Sequence, residues 1–175
     1  RGLGDVYKRQ DHNITPPAAN TVFFGGGTPS LLGRQLPKIL DVVRECFGIA
    51  PGAEITSEAN PESTSPELFD CWRAGGVNRL SLGMQSSEPR VLALLDRQHD
   101  PARAVAAIEE AQAAGFEHLN LDLIYGTPGE TTDDVARSVD TVLATGVDHV
   151  SAYALTIEPG TALFRKVAHG EIDPI

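Results

Sequence analysis

The feature that most constrains the fold of this chain is a repeated alternation between short β-like runs and longer amphipathic segments. From residue 21 onward, each run rich in β-branched or alternating apolar residues precedes a segment whose apolar residues have helical spacing. Strand connections of this length imply a parallel sheet with right-handed crossovers. The predicted strands cover residues 21–24, 54–59, 79–84, 118–124 and 149–155.

Polar residues inside the predicted strands distinguish between two kinds of parallel sheet. Open, doubly wound sheets have strands of nearly continuous Val, Ile and Leu, because both faces are buried. Here the strands are interrupted by Glu58, Ser81, Asn120, Asp122 and Ser151. Such residues suit a barrel whose interior lines a ligand site. We therefore predict an α/β fold, a partial TIM-like (β/α) barrel, with its site at the carboxyl ends of the parallel strands.

Residues 1–10 differ in character from the rest of the chain. Their sequence, RGLGDVYKRQ, has no apolar periodicity, so we interpret it as a segment of foreign origin and residues 11–20 as a linker. The chain does not begin with Met and stops just after a predicted helix. We therefore expect residues 21–175 to be the central part of a barrel that is truncated at both ends.

Charge and composition exclude several classes of function. The 14 Lys and Arg residues and 24 Asp and Glu residues give a formal net charge of −10, which argues against nucleic acid and anionic membrane surfaces as partners. No apolar run approaches the roughly 18 residues of a transmembrane segment. Two cysteines, Cys46 and Cys71, are too few for a disulfide scaffold. We expect both to be half-buried apolar residues on helices. We expect a cytoplasmic protein.

The strongest single candidate for ligand binding is the glycine-rich turn GGGTPS at residues 25–30, directly after the first predicted strand. Three glycines without Cβ atoms would let a ligand approach the backbone, and a tight turn alone rarely needs three. A phosphate loop is not indicated, because no Gly-Lys-Ser/Thr follows. A dinucleotide fingerprint is a poor match too, because Ser30 stands where its third glycine would be.

Four polar residues near the ends of other predicted elements are further candidates. Glu58 could bind an ammonium group, although a lone Glu is more often a solvated surface acid. Gln85 could hydrogen-bond to a carboxylate or amide, or it could be an ordinary turn residue. Asp122, flanked by leucines, is costly to bury unless it is paired, which favours a functional role. Arg97 could bind a carboxylate, although a solvated cation at the end of a helix, which the helix dipole favours, is the simpler explanation.

Five phrases occur in order between residues 21 and 169: VFFGGGTPSLL, SEANPES, GVNRLSLGMQSSEPRVLALLDRQHD, GFEHLNLDLIYGTPGET and DHVSAYALTIEPGTALF. Together they resemble the radical S-adenosylmethionine (SAM) family, in particular its branch of heme chaperones and oxygen-independent coproporphyrinogen III oxidase-like proteins. The resemblance implies a partial TIM-like barrel that binds SAM.

The resemblance also implies a role for each candidate residue. Gly26, Gly27 and Thr28 would contact the methionyl end of SAM. Glu58 would contact SAM on the same rim, and Ala154 would lie beside the adenine. The ribose and carboxylate region would be contacted by Gln85, Arg97 and Asp122.

In the family, the cluster motif Cys-x-x-x-Cys-x-x-Cys lies before the strand that begins here at residue 21. This chain has no cysteine in that region. A [4Fe–4S] cluster needs closely grouped thiolates, which Cys46 and Cys71 cannot supply. We therefore expect the cluster only in a full-length parent protein. In this chain we assign no catalytic and no metal-ligating residue, and we expect it to be inactive alone.

The resemblance leaves the function of the parent open between two classes. One class is a heme chaperone, and the other is an enzyme that decarboxylates coproporphyrinogen III. The phrases GMQS and YGTPGE resemble the chaperone branch more than the enzyme branch. Whether the protein is an enzyme therefore stays undecided at this point. A third hypothesis, independent of SAM, is an α/β barrel domain whose glycine turn holds a phosphate group.

Overall fold

A computed structural model describes residues 17–97 and 100–173 of the chain. Five parallel strands form one sheet in the order β1-β2-β3-β4-β5, and helices alternate with them to give half of a (β/α) barrel, as predicted. The strands are β1 (Ala19–Phe24), β2 (Ile49–Ala59), β3 (Arg79–Gln85), β4 (His118–Tyr125) and β5 (His149–Ala154). The helices are α1 (Leu36–Phe47), α2 (Pro66–Gly75), α3 (Pro89–Leu94), α4 (Pro101–Ala113), α5 (Thr132–Ala144) and α6 (Ala162–Ala168).

Two short 3₁₀ helices, Pro29–Gln35 and Pro61–Ser63, follow β1 and β2 and were not predicted from the sequence. Proline near the start of each one has the backbone angle that a helical turn needs. The predicted foreign segment at 1–10 lies outside the described residues, as does the linker up to residue 16. Within the predicted linker, β1 already begins at Ala19.

Side chains alternate between the two faces of the sheet and so create an apolar and a polar layer. On β3, the side chains of Leu80, Leu82 and Met84 are fully buried, whereas Ser81 and Gln85 between them are only partly buried. The buried face packs with the helices into one hydrophobic core. The other face carries the polar strand residues, which explains why the strands do not read as continuous apolar runs.

The largest fully buried side chain of this core, among the described residues, is Trp72 of α2. Its indole Nε1–H donates a hydrogen bond to the carbonyl of Gly33 at 2.8 Å. Phe69, one turn earlier, packs edge to face against Phe116 with 6.2 Å between ring centroids. The hydrogen bond connects the core to the 3₁₀ helix that follows the glycine turn. Packing of Trp72 therefore also fixes the segment leaving the candidate site.

The structure differs from the sequence prediction at the start of β2 and at one cysteine. β2 begins at Ile49, five residues before the predicted start, because its pairing with β1 skips residues around Pro51 and Gly52 and then resumes. The register passes from Ala19 opposite Ile49 to Thr21 opposite Glu54. Cys46 is exposed rather than half-buried, whereas Cys71 is partly buried as predicted.

The start of α5 is fixed by a buried carboxylate. Thr131 and Asp134 form a capping box, and the guanidinium groups of Arg90 and Arg137 also contact Asp134. The hydroxyl and backbone N–H of Thr131, followed by Arg90, lower the pKa of Asp134 from 3.8 to about 2. This helix start packs next to the loop after β3, because Arg137 also pairs with Glu88 at 2.8 Å.

The lowered pKa of Asp134 predicts how stability depends on pH. Because the folded-state pKa lies below the ordinary value of 3.8, the ionised carboxylate stabilises the fold fully above that value. Its contribution is lost as the pH falls from about 4 to about 2. Urea unfolding of the unsubstituted chain and of Asp134→Asn should therefore differ above pH 4 and converge towards pH 2. A difference that stays constant across this range would contradict the prediction.

In the described part of the chain, no helix is long and apolar enough to cross a membrane.

Candidate functional site

The carboxyl ends of β1 to β4 surround a polar cleft, as the sequence predicted for a partial barrel. Of the eight predicted site residues, six line this cleft: Gly27, Thr28, Glu58, Gln85, Arg97 and Asp122. A seventh, Gly26, joins it through a hydrogen bond in which its N–H donates to Oε2 of Glu58 at 3.0 Å. The structure therefore brings together the glycine turn and all four charged or amide side chains proposed from the sequence.

The three glycines of the turn are present for two different reasons. Gly26 and Gly27 have φ of 82° and 54°, a left-handed conformation that strains any residue with a Cβ. The space beside both is open, with no atom within 4 Å of a built Cβ. At Gly25, by contrast, a Cβ would lie 2.2 Å from the ring of Phe23. The backbone at Gly26 and Gly27 thus borders open space, whereas Gly25 makes room for the side chain of Phe23.

Ser30 connects the glycine turn to the loop after β2. It is buried, its hydroxyl shares a hydrogen bond with Ser63 Oγ at 2.6 Å, and it accepts one from the backbone N–H of Asn60 at 3.0 Å. The two loops are therefore fixed to each other behind the cleft. The hydrogen bonds of Ser30 therefore help to keep the glycine turn close enough to Glu58 for the hydrogen bond between Gly26 and Glu58.

Asp122 is held by neutral donors from its own strand, β4, and from the neighbouring strand β3. The hydroxyl of Ser81 donates to both carboxylate oxygens, at 3.1 and 3.3 Å, and Asn120 Nδ2 donates to Oδ1 at 2.7 Å. The amide oxygen of Asn120 in turn accepts from His149 and Ser151. In the described residues no cation pairs with Asp122. Its carboxylate is therefore oriented towards the cleft with charge available for a ligand.

Gln85 has an unusual backbone conformation at the end of β3. Its φ is 68°, and Ser86 N–H donates to the carbonyl of Met84 at 2.9 Å, which closes a three-residue γ-turn around it. The ladder with β4 shifts register between Gly83 and Gln85. A Cβ on Gly83 would lie 2.6 Å from Gln85 Nε2, so the amide folds back over this glycine. Such a conformation costs about 1–3 kcal/mol and is often found at functional sites.

Arg97 reaches the cleft from the end of the segment that follows α3. Its N–H donates to the carbonyl of Leu92 at 2.9 Å, and the preceding Asp96 has φ of 55°. This turn brings the Arg97 side chain to the cleft. Arg97 is exposed, but it also lines the cleft rather than facing solvent alone. With Glu58 and Asp122, the cleft has two carboxylates and one guanidinium.

Ala154 is the predicted site residue that lies outside the lining of this cleft. It is the last residue of β5, the edge strand, where it is exposed and pairs with Tyr125. Its predicted place beside an adenine ring stays a prediction.

Comparison with known proteins identifies the family. A family model described as the radical SAM superfamily matches residues 4–142. The chain belongs to that superfamily. Its similarities fit the branch that contains heme chaperones and coproporphyrinogen III oxidases, and its half-barrel is the corresponding part of the radical SAM fold.

Two curated relatives and one solved structure illustrate this similarity. The chain is 62% identical over 160 residues to heme chaperone HemW of Mycobacterium tuberculosis, covering 91% of the chain and 41% of the relative. Identity to heme chaperone HemW of Escherichia coli is 40% over 142 residues, covering 81% and 38%. The structure of the E. coli radical SAM enzyme coproporphyrinogen III oxidase (HemN) superposes with a TM-score of 0.79 at 32% identity, covering 87% of this chain and 36% of that one. The chain thus spans about two fifths of the length of these curated relatives.

Several residues that shape this radical SAM cleft were not chosen from the sequence. Ser81 and Asn120 fix Asp122, Ser30 fixes the glycine turn, and Gly83 makes room for Gln85. Strand alternation could have found two of them, because Ser81 and Asn120 share the polar face with Asp122. No comparable pattern marks Ser30 or Gly83, whose roles depend on contacts with distant segments.

The chain's own cysteines do not fit the [4Fe–4S] cluster of the superfamily. Cys46 is exposed on α1 and Cys71 is partly buried on α2, and neither lines the cleft. Within residues 17–97 and 100–173, no group of three or more His, Cys, Asp or Glu side chains could hold a metal ion. No cluster chemistry can therefore be assigned to these residues.

Proposed function

We propose that this chain is the central part of a longer radical SAM protein, its full-length parent, and that the cleft at the carboxyl ends of the strands binds SAM. The observation that carries the proposal is the convergence of the glycine turn with Glu58, Gln85, Arg97 and Asp122 on one cleft. SAM carries a sulfonium, an ammonium and a carboxylate group, so its net charge is positive. Two carboxylates and one guanidinium complement that charge.

Each group of SAM has a matching residue in the proposal. Gly26, Gly27 and Thr28 expose backbone to the methionyl end, and Glu58 on the same rim accepts hydrogen bonds from its ammonium group. Arg97 pairs with its carboxylate. Asp122 accepts hydrogen bonds from ribose hydroxyls, with Gln85 next to it. Ala154 contacts the adenine from the end of β5.

In the superfamily the cluster supplies the electron that cleaves SAM. The residues described here would bind and orient SAM and exclude water from it. The grouped cysteine thiolates that would hold this cluster are not present in the chain, so we assign the cluster to the parent protein only.

A phosphate-binding barrel is less well supported than a SAM site. Family membership favours SAM. The cleft also offers a single guanidinium against two carboxylates, which would repel a phosphate dianion.

For the parent we propose the function of a cytoplasmic heme chaperone that binds SAM, a [4Fe–4S] cluster and heme. Identity of 62% to a heme chaperone supports this class. Structural similarity to a coproporphyrinogen III oxidase supports the enzymatic alternative, at 32% identity. The net charge of −10 supports our view that nucleic acid is not a partner.

The two classes can be separated with the reconstituted parent protein. It should be incubated under reducing, anaerobic conditions with SAM and coproporphyrinogen III, and separately titrated with heme while its absorption spectrum is followed. Saturable heme binding without decarboxylation is the expected result. Multiple turnovers of decarboxylation would overturn the chaperone proposal in favour of the oxidase.

The proposal also predicts weak SAM binding by the present chain. In the superfamily the cluster helps to hold the methionyl group, and residues 1–175 cannot assemble it. Calorimetric titration with SAM should therefore give little or no heat of binding for this chain and a clear isotherm for the cluster-reconstituted parent. Equal affinity in the two proteins would contradict the prediction.

A further inference from the structure

A group of three serine hydroxyls, contributed by Ser86, Ser87 and Ser138, lies between the loop after β3 and helix α5. Ser86 is fully buried, and Ser138 is buried at 4% exposure. Ser138 Oγ is 3.2 Å from Ser86 Oγ and 3.2 Å from Ser87 Oγ, and it accepts from Ser87 N–H at 3.0 Å. Buried hydroxyls are costly unless they are hydrogen-bonded, and here the hydroxyls of Ser86 and Ser87 each bond to that of Ser138.

The position of this serine cluster matters because it directly follows the strained residue of the cleft. Ser86 N–H closes the γ-turn around Gln85, and Ser86 Oγ accepts from Glu88 N–H at 3.1 Å. Residues 86 to 88 are thus fixed on one side to the γ-turn and on the other to Ser138. A strained conformation persists only where its surroundings hold it in place. Ser138 supplies three of the contacts that do so.

The support behind Ser138 is itself rigid. α5 begins at the capping box of Thr131 and Asp134, and Arg137, next to Ser138, pairs with Glu88 at 2.8 Å. The loop is therefore attached to α5 by both a charged pair and the hydroxyl group. No atom of Ser138 lines the cleft.

We propose that Ser138 is a positioning residue for SAM binding: it holds the loop after β3 so that the amide of Gln85 stays over Gly83 and in the cleft. The proposal rests on the proposed function, because it assumes that Gln85 contacts SAM. Ser138 acts only through Gln85. Its removal should consequently matter for SAM affinity only while the Gln85 amide is present.

A double-mutant cycle on the cluster-reconstituted parent protein tests this directly. SAM affinity is measured for the unsubstituted protein, Ser138→Ala, Gln85→Ala and the double variant. Ser138→Ala should weaken SAM binding by about 3- to 10-fold, because a typical hydrogen-bond contribution converts to that range. In the Gln85→Ala background the same substitution should change affinity less than about 1.5-fold, since groups acting through one another are not additive.

Thr141→Ala provides the matched control, because Thr141 lies one turn further along α5 and, among the described residues, its hydroxyl bonds only to the Arg137 carbonyl, at 2.8 Å. It should leave SAM affinity unchanged. Should Ser138→Ala not fold, Ser87→Ala removes one contact of the serine cluster and should give a smaller loss that also vanishes with Gln85→Ala.

Two results would overturn the inference while leaving the proposed function intact. One is unchanged SAM affinity in folded Ser138→Ala, and the other is a loss that persists in full when Gln85 is already Ala. Absence of SAM binding by the unsubstituted, reconstituted parent would instead overturn the proposed function and this inference with it.

Discussion

Replacing Asp122 by Asn in the reconstituted parent protein is expected to weaken SAM binding by about 10- to 150-fold, the equivalent of losing hydrogen bonds to a charged acceptor. The physical reason is the environment of the carboxylate. Ser81 and Asn120 orient it with neutral hydrogen bonds and leave its charge without a cationic partner among the described residues. Asn has nearly the same shape, so the substitution removes charge while leaving the cleft otherwise intact. Calorimetry or equilibrium dialysis with labelled SAM gives the affinity directly.

The matched control for Asp122→Asn is Asp140→Asn, which removes the same charge from an exposed position on α5. Its SAM affinity should stay within about 2-fold of the unsubstituted protein's. Asp140 is exposed and does not line the cleft, so salt screens its charge. Equal losses in the two variants would show that net charge, rather than the position of Asp122, controls binding. An unchanged affinity in Asp122→Asn would remove this residue from the proposed site.

Replacing Trp72 by Ala is expected to cost about 3–5 kcal/mol of the free energy of unfolding of this chain. Trp72 is fully buried in the core, and its indole N–H donates a hydrogen bond to the Gly33 carbonyl. A loss of this size is a large part of the roughly 5–15 kcal/mol that stabilises a typical domain. Urea unfolding should be followed by circular dichroism, because Trp72 is the only tryptophan and the variant has no indole fluorescence.

Two companion variants separate the causes of the Trp72→Ala effect. Trp72→Phe keeps most of the apolar contact but leaves the Gly33 carbonyl without its donor, and it should cost about 1–3 kcal/mol. Phe47→Ala removes an aromatic ring that is 59% exposed and should change stability by no more than about 0.5 kcal/mol. A loss in Phe47→Ala as large as that in Trp72→Ala would contradict the description of the core.

Much of the fold was predictable because local signals and tertiary structure agree. Ser followed by Pro is a common helix start and Gly a common helix end, and in the structure Ser65 with Pro66 begins α2, while Gly48 and Gly76 end α1 and α2. Polar residues on β2, β3 and β4 correctly indicated a barrel with a lined interior rather than an open sheet. The start of β2 was missed because the strand pairs with β1 from Ile49 onward and continues past Pro51 and Gly52, two residue types that are uncommon inside strands.

The cleft was only partly predictable, for a different physical reason. Residue type and position at strand ends identified Asp122 and Gln85, whereas Glu58 and Arg97 needed the family resemblance to rise above ordinary surface charges. The groups that hold them come from segments distant in sequence: Ser138 is 52 residues from Ser86, and Ser30 is 33 residues from Ser63. Such contacts have no local periodicity, so a single sequence does not reveal them.

The most direct test of whether this cleft binds SAM is a crystal structure of the reconstituted parent protein with SAM bound. We expect SAM to lie across the carboxyl ends of the strands, with its methionyl end at Gly26 and Gly27 and its ribose hydroxyls within hydrogen-bond distance of Asp122. SAM bound away from this cleft, or with no contact to either the glycine turn or Asp122, would contradict it.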